Sequence, residues 1–434
     1  MNPNFSVHPN HLSSLVLFGL SLGNYVLMYW VNIFLARHLG IGEFDDYNVA
    51  ISVVTLLSTL ATLGLEKYAL RLVALNIERE KWGRLRSFLH FSVRIIVIFS
   101  LILLGVLSLS LEGILAWRQA DFHIAIVIYA AFLPVIAVSL FLIEIVTVYG
   151  FQIPAMVLYR FLLPALFAGF LFSVQGLGYA ISATSAVLCF GLSWCFTLLI
   201  LDLTERVTSP KPLRLAKPSS HNRRKWIGKA LPLMLSSLMM TMLTSAGTIV
   251  LELLYPSEFQ VGLFAVCMQT CSLISLIGTS TNRYYLPMLV VLIERQDTRG
   301  ATRLLRKRTR LIGLLILLYL GLIGLYGADV LALFGPGFSA GYPALCICSL
   351  GAVINALFSD SPYYLQFMGK NRLVVGLMSL AAAGMVGLSF ILGTLYGVTG
   401  VAIAYAVPTT ILFSLLKLLA RRHLQRYLPV NVPK

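Results

Sequence analysis

About twelve stretches of this chain are apolar and long enough to cross the hydrocarbon core of a bilayer, and its charges fall between them in alternation. Only 12% of the residues are charged and 58% are apolar. The spans are predicted over 12–36, 47–73, 87–109, 122–148, 153–173, 177–201, 229–254, 260–292, 309–328, 342–367, 373–395 and 399–420. Arg79, Lys81, Arg84 and Arg86 follow the second span, eight basic residues from Arg206 to Lys229 follow the sixth, and seven from Arg295 to Arg310 follow the eighth. Lys370 and Arg372 follow the tenth span, and Arg421, Arg422 and Arg426 the twelfth. The other connections hold Arg37 and Arg118, two of 33 basic residues. Lys and Arg accumulate on the cytoplasmic side, which puts both termini inside. The fold class expected is an all-α polytopic membrane protein.

The net charge of +16 would suggest nucleic acid in a soluble chain. In these loops topology and anionic membrane lipids account for it, and no nucleic-acid partner is expected. The first apolar run is read as a span rather than a leader, because it is too long for one and lacks a small-residue cleavage site. Cys189, Cys195, Cys267, Cys271, Cys346 and Cys348 all lie within spans and read as packing residues. No His or carboxylate completes a metal site with them.

An internal repeat divides the chain. Glu43-Phe44 recurs as Glu258-Phe259 after 215 residues, Glu78-Arg79 as Glu294-Arg295 after 216, and Gly178-Tyr-Ala-Ile181 as Gly400-Val-Ala-Ile403 after 222. The expected organisation is a six-helix lobe over 1–202, a basic cytoplasmic linker over 203–228, and a second six-helix lobe over 229–434, the two in parallel orientation. Such parallel repeats are an architecture of secondary transporters with a binding site between the halves.

Polar stripes mark the helices that would face water. Asn48, Ser52, Thr55, Thr59, Thr62 and Glu66 are spaced to share one face of the second span. Gln269, Ser272, Ser275, Thr279 and Arg283 do the same in the eighth, Ser237, Thr241, Thr244 and Thr248 in the seventh, and Ser14, Ser21, Asn24 and Asn32 in the first. Such stripes serve either a cavity or close helix packing. Charges inside spans are costly and usually face water or a partner, so Arg283, Lys67 and Glu66 are cavity candidates together with Asn48, Thr59, Thr62, Gln269, Thr279 and Asn24. Glu66 and Arg283 sit at nearly equivalent places in the repeats and are expected to be coupled, through the cavity or as a structural ion pair. Glu66, the lone acid Glu144, and Asp360 before Ser361-Pro362 are the carboxylates available to carry a coupling ion. Glu252 is expected to reach water at an outside end, and Glu43, Asp45 and Asp46 to lie in a solvated outside loop. Gly335-Pro-Gly337 reads as an outside turn. No P-loop, G-x-S-x-G, H-E-x-x-H or dinucleotide fingerprint is present, so no catalytic residues, metal or cofactor are expected.

Several segments resemble the polysaccharide flippases (Wzx-type, polysaccharide transporter family) of the multidrug/oligosaccharidyl-lipid/polysaccharide (MOP) exporter superfamily. Ala36-Arg-His-Leu-Gly40-Ile-Gly-Glu-Phe44 is similar to that family's link between its first two helices. Ala230-Leu-Pro232-Leu resembles its opening of helix seven, Pro287 its proline late in helix eight, Leu333-Phe-Gly-Pro-Gly-Phe338 its motif before helix ten, and Gly369-Lys-Asn-Arg372 its turn after that helix. Asp45 departs from the pattern, standing where the family usually has Gly. Ser245-Ala-Gly-Thr departs where the family often has an Asp, and the first span lacks the acid that drug antiporters of the superfamily use. Lipid II flippases of the superfamily usually have fourteen spans.

The resemblance implies a MOP/MATE-like fold in the bacterial cytoplasmic (inner) membrane. It implies a flippase for a polyprenyl-pyrophosphate-linked oligosaccharide working by alternating access, driven by a proton or sodium gradient. Polysaccharide polymerase and chain-length proteins are the partners it suggests. A MATE-like drug or metabolite antiporter is the alternative within transport, and a membrane glycosyltransferase or polysaccharide polymerase the alternative of another class.

Overall fold

The apolar stretches become helices in the computed structural model, which describes residues 11–118, 124–219, 223–255, 259–294 and 298–427. No strand occurs among the described residues. The elements are α1 (His11–His38), α2 (Ile41–Ala61), α3 (Leu65–Glu78), α4 (Trp82–Arg118), α5 (Ile124–Ala131), α6 (Leu133–Val148), α7 (Gln152–Val157), α8 (Leu163–Gly176) and α9 (Ala183–Thr208). They continue with α10 (Lys211–Leu215), α11 (Arg223–Leu254), α12 (Gln260–Glu294), α13 (Thr298–Ala332), α14 (Tyr342–Phe358), α15 (Ser361–Phe367) and α16 (Asn371–Tyr427).

Ten of the described helices are long and apolar enough to cross a membrane, eleven with the pair α5 and α6, which is bent by 46°. The chain is therefore a multi-pass membrane protein. With 57 residues, α16 would be roughly 85 Å long if straight, far beyond a core of about 30 Å. It breaks at Gly397 (φ 54°, ψ −133°), and Gly400 lies against the carbonyl of Leu392, so the chain doubles back there. Its two arms, on either side of Gly397, correspond to the eleventh and twelfth predicted spans.

The described residues form two units, one of Met1–Tyr25 with Val266–Lys434 and one of Val26–Ala265. In lipid, helices gain no hydrophobic drive toward each other and pack through small residues. In the first unit Gly278 abuts Ala356 and Gly351 abuts Ala406, each so closely that an added Cβ would stand 2.8 Å from a backbone Cα. In the second unit α11 lies along α2 and α3, with Thr59 Oγ1 3.2 Å from Thr241 Oγ1.

The second predicted span is not one continuous helix. Ser58, Thr59 and Thr62 each turn their hydroxyl back onto a carbonyl three or four residues earlier, at 2.9–3.0 Å. Such bonds compete with the backbone ladder and bend helices. Leu63 (φ 52°) and Gly64 (φ 70°) then take left-handed conformations and α3 starts afresh at Leu65. The regular phase that placed Asn48 through Glu66 on one face is interrupted between Thr62 and Glu66.

The acids at 43–46 do not form a solvated loop. They occupy the first turns of α2, where Asp45 is buried and its Oδ1 accepts from the Gly262 N–H at 2.8 Å. Glu43 accepts from the Ala183 N–H at the start of α9. Each carboxylate thus meets orphan donors at the positive end of another helix. This explains why Asp45 stands where a small residue was expected: its partner Gly262 has no side chain, and a Cβ there would meet Asp45 Oδ1 at 2.6 Å. Asp45→Ala leaves that N–H buried without its acceptor and should lower stability by about 1–3 kcal/mol. Asp46→Ala should cost less, and unfolding temperatures of the two purified variants make the comparison.

Glu252 was expected to reach water and instead is buried on α11. Where it is described, the linker is held by hydrogen bonds to neighbouring helices. Arg214 donates to the carbonyls of Arg206, Val207 and Ser209, closing the C-terminal end of α9. Arg86 donates to the Arg214 and Ala216 carbonyls at 2.9 and 2.7 Å, and Ser87 to that of Ser219 at 2.8 Å. Trp226 is buried with its ring 5.3 Å from Phe88 and 5.6 Å from Phe91. Basic residues read as topology markers are here backbone clamps.

Candidate functional site: charged clusters within the helices

Among the described residues, one group of ionisable side chains inside the helices is found in each unit. In the unit Val26–Ala265, Lys67 Nζ is 2.7 Å from Glu144 Oε1, joining α3 to α6. Glu144 is therefore not a lone acid. Lys67 keeps 46% of its side-chain surface exposed, which leaves donors free for a further partner. Beside it Glu66 is only 7% exposed, and its Oε2 has no hydrogen-bond partner among the described residues. The break at Leu63–Gly64 sets this arrangement, because it fixes where the first turn of α3 points.

In the other unit Asp360 is 1% exposed at the junction of α14 and α15, where the proline of Ser361-Pro362 cannot continue the ladder. Its Oδ2 lies 3.0 Å from Arg308 Nη1 and 3.6 Å from Lys417 Nζ, and accepts from the Tyr364 hydroxyl at 2.8 Å. Ser361 donates to Oδ1 at 3.2 Å. Arg308 Nη2 donates to Asn282 Oδ1 at 2.7 Å and to Ser359 Oγ at 3.2 Å. Helices α12, α13, α14 and α16 are tied together at this one place. Asp360, a candidate coupling carboxylate, has two cations beside it in the fold.

Arg308 was counted among the basic residues of a loop, yet it belongs to α13 and is buried. Lys417 carries no distinguishing signal in the sequence, because a single lysine near the end of a span can snorkel to the interface. The repeat itself held a signal that was missed. Glu144 and Asp360 stand 216 residues apart, as do Lys67 and Arg283, and Glu66 and Asn282. The equivalent of Arg283 is therefore Lys67 rather than Glu66. The Arg283 side chain lies outside the described residues, and its backbone lies in α12.

The remaining candidates are distributed between the units. Asn48 donates to the Phe44 carbonyl at 2.7 Å, Thr59 touches Thr241, and Thr62 is buried. Thr279 is exposed and donates to the Leu276 carbonyl at 3.1 Å, whereas Gln269 and Asn24 are half-buried. The Gln269 carbonyl accepts from the Tyr25 hydroxyl at 3.3 Å. Most of the stripe hydroxyls are satisfied within their own helix, and they keep acceptor lone pairs for a ligand or a neighbouring helix. Cys267, Cys271 and Cys348 are buried free thiols. No group of three or more metal-binding side chains occurs among the described residues.

Residues 13–292 match the model of a family described as polysaccharide biosynthesis protein. Comparison with curated proteins finds no match. Among solved structures, an inward-facing multidrug resistance MATE family transporter of the MOP superfamily is similar at 17% identity and a TM-score of 0.74, with 96% of each chain covered. The lipid II flippase MurJ in an inward closed conformation is similar at 15% identity and a TM-score of 0.70, over 94% of this chain and 87% of MurJ. A MOP superfamily transporter from Pyrococcus furiosus, described as having a binding pocket of reverse polarity, is similar at 15% identity and a TM-score of 0.60, over 95% and 96% of the two chains. At these identities the likeness is one of fold, and that fold is the one MOP superfamily transporters share.

Proposed function

The chain belongs to the polysaccharide biosynthesis protein family, and from that premise we propose that it is a flippase. It moves a polyprenyl-pyrophosphate-linked oligosaccharide from the inner to the outer leaflet of the bacterial cytoplasmic membrane by alternating access, with both termini cytoplasmic. The observation that carries this reading is the family match over residues 13–292 in a chain with the fold of MOP transporters. The fold neighbours are described as transporters and a flippase rather than enzymes, which speaks against a glycosyltransferase or polymerase.

The chemistry of the residues supports it. A pyrophosphate leaving the headgroup layer loses hydration, which a cationic side chain replaces. Lys67 and Arg283, at equivalent places in the two sequence repeats, are the groups for that role. Hydroxyl and amide groups at Asn48, Thr59, Gln269 and Thr279 suit sugar hydroxyls. Glu66 and Glu144 together outnumber Lys67 by one negative charge. A buried carboxylate oxygen without a donor is costly unless a proton or cation joins it, so Glu66 is the site for the coupling ion.

A strain lacking the gene should accumulate lipid-linked repeat units on the inner leaflet. Arg283→Ala should abolish surface polysaccharide, and Arg283→Lys should keep part of it, because a point charge survives without the bidentate fork. Normal export by Arg283→Ala at normal protein level removes Arg283 from the mechanism. Absence of inner-leaflet accumulation in the deletion strain removes the flippase reading in favour of a drug or metabolite antiporter. Glu66→Gln keeps the shape and removes the charge. Its transport should continue without dependence on the proton gradient, and transport that still follows the gradient leaves Glu66 with a structural role only.

A further inference from the structure

The two clusters carry opposite surpluses of charge. Near Lys67 stand two carboxylates, Glu144 at 2.7 Å and the neighbouring buried Glu66, whereas around Asp360 one carboxylate faces the Arg308 guanidinium and the Lys417 ammonium. No acidic residue follows Asp360 in the sequence, while Lys370, Arg372, Lys417, Arg421, Arg422, Arg426 and Lys434 do. Among the described residues no second carboxylate comes within ion-pair distance of Arg308 or Lys417. One positive charge is left without a counter-ion.

The geometry says which cation is available. Arg308 is fixed through both Nη atoms, which reach Asp360, the Leu357 carbonyl, Asn282 and Ser359, while its buried Nε has no partner among the described residues. Lys417 is tied far more loosely. It reaches Asp360 at 3.6 Å, its ammonium lies 5.8 Å from the Phe358 ring centroid, and 34% of its side chain is exposed. An ammonium has three donors, and with only Asp360 within ion-pair distance this one keeps donors for a further partner on its partly exposed side chain. Arg421 follows one helical turn later on α16.

We propose that this cluster is an anion site for a phosphate oxyanion, with Lys417 as the docking cation and the Asp360-held Arg308 behind it. Asp360 keeps Arg308 in place without cancelling both charges, and the bound phosphate supplies the missing negative charge. The phosphate can belong to the headgroup of an anionic phospholipid or to the pyrophosphate of a polyprenyl-linked sugar. Both carry it at headgroup depth, where the basic end of α16 would lie. The site stands whatever molecule the protein transports.

Non-specific attraction to an anionic leaflet is worth about fivefold in affinity for each basic residue, so a built site must exceed that. The test is native mass spectrometry of the purified full-length protein titrated with phosphatidylglycerol, polyprenyl pyrophosphate, inorganic pyrophosphate and, as the phosphate-free control, diacylglycerol. Lys417→Gln should weaken binding of the phosphate ligand at least tenfold, Lys417→Arg should retain it, and Arg421→Gln should weaken it by about fivefold or less. Binding of phosphatidylglycerol alone identifies a headgroup site, and preferential binding of polyprenyl pyrophosphate identifies a substrate site. The proposal is overturned if diacylglycerol binds as well as the phosphate ligands, or if Lys417→Gln weakens binding no more than Arg421→Gln. Unfolding temperatures of the three variants confirm that each compared protein is folded.

Discussion

Asp360→Ala should destabilise the protein by about 3–5 kcal/mol, the range for removing one partner of a buried ion pair. The cost comes less from the lost attraction than from what remains. Arg308 is buried, and without Asp360 its charge has no counter-ion and Nη1 loses its carboxylate acceptor. Tyr364 and Ser361 also lose their acceptor. Stabilities of natural domains are often only about 5–15 kcal/mol, so the variant should reach the membrane at a fraction of the normal level and unfold at a lower temperature. Asp360→Asn should cost less because it keeps an acceptor oxygen. Replacing both partners, as in Arg308→Met with Asp360→Leu, should recover most of the loss, since apolar substitutes of similar volume are often neutral. Normal accumulation and melting of Asp360→Ala would show that the network does not hold these helices together.

Gly64→Ala should have the second largest effect. A left-handed conformation costs an L-residue about 1–2 kcal/mol, and Gly64 has φ 70°. An added Cβ would also stand 2.5 Å from the Ala230 carbonyl oxygen and 2.5 Å from the Met234 nitrogen. Both are backbone atoms of α11 and cannot swing aside as a side chain would, so overpacking adds about 1–3 kcal/mol. The expected structural result is separation of α11 from the broken pair α2 and α3. Thr59 and Thr241, whose hydroxyls are 3.2 Å apart, report on it. A Thr59→Cys, Thr241→Cys pair should oxidise readily in the parent and poorly with Gly64→Ala. Gly42→Ala, with nothing within 4 Å of its added Cβ, should be neutral or slightly stabilising. Equal cross-linking with and without Gly64→Ala would mean that the helix break tolerates a side chain.

The membrane helices were legible because hydropathy and charge act locally: each span must satisfy its own backbone in lipid, and each loop declares its side by its own Lys and Arg. The candidate site was legible in part, since ionisable residues are rare enough in spans that Glu66, Lys67, Glu144 and Asp360 could be picked out singly. Their partners were not. A helical period assumes an unbroken helix, and the hydroxyls of Ser58, Thr59 and Thr62 together with Gly64 end that regularity before Glu66.

The sequence by itself determined that this chain is a multi-pass bundle of apolar helices with a repeated charge pattern, because those properties are sums over neighbouring residues. Only the tertiary structure decided that Glu144 meets Lys67 across 77 positions, that Asp360 meets Arg308 across 52, and that Asp45 caps a helix starting beyond residue 250. An ion pair or cap depends on a few ångströms between residues distant in the chain, and that distance is set by helix breaks and by the close approach of small residues, neither of which composition or periodicity records.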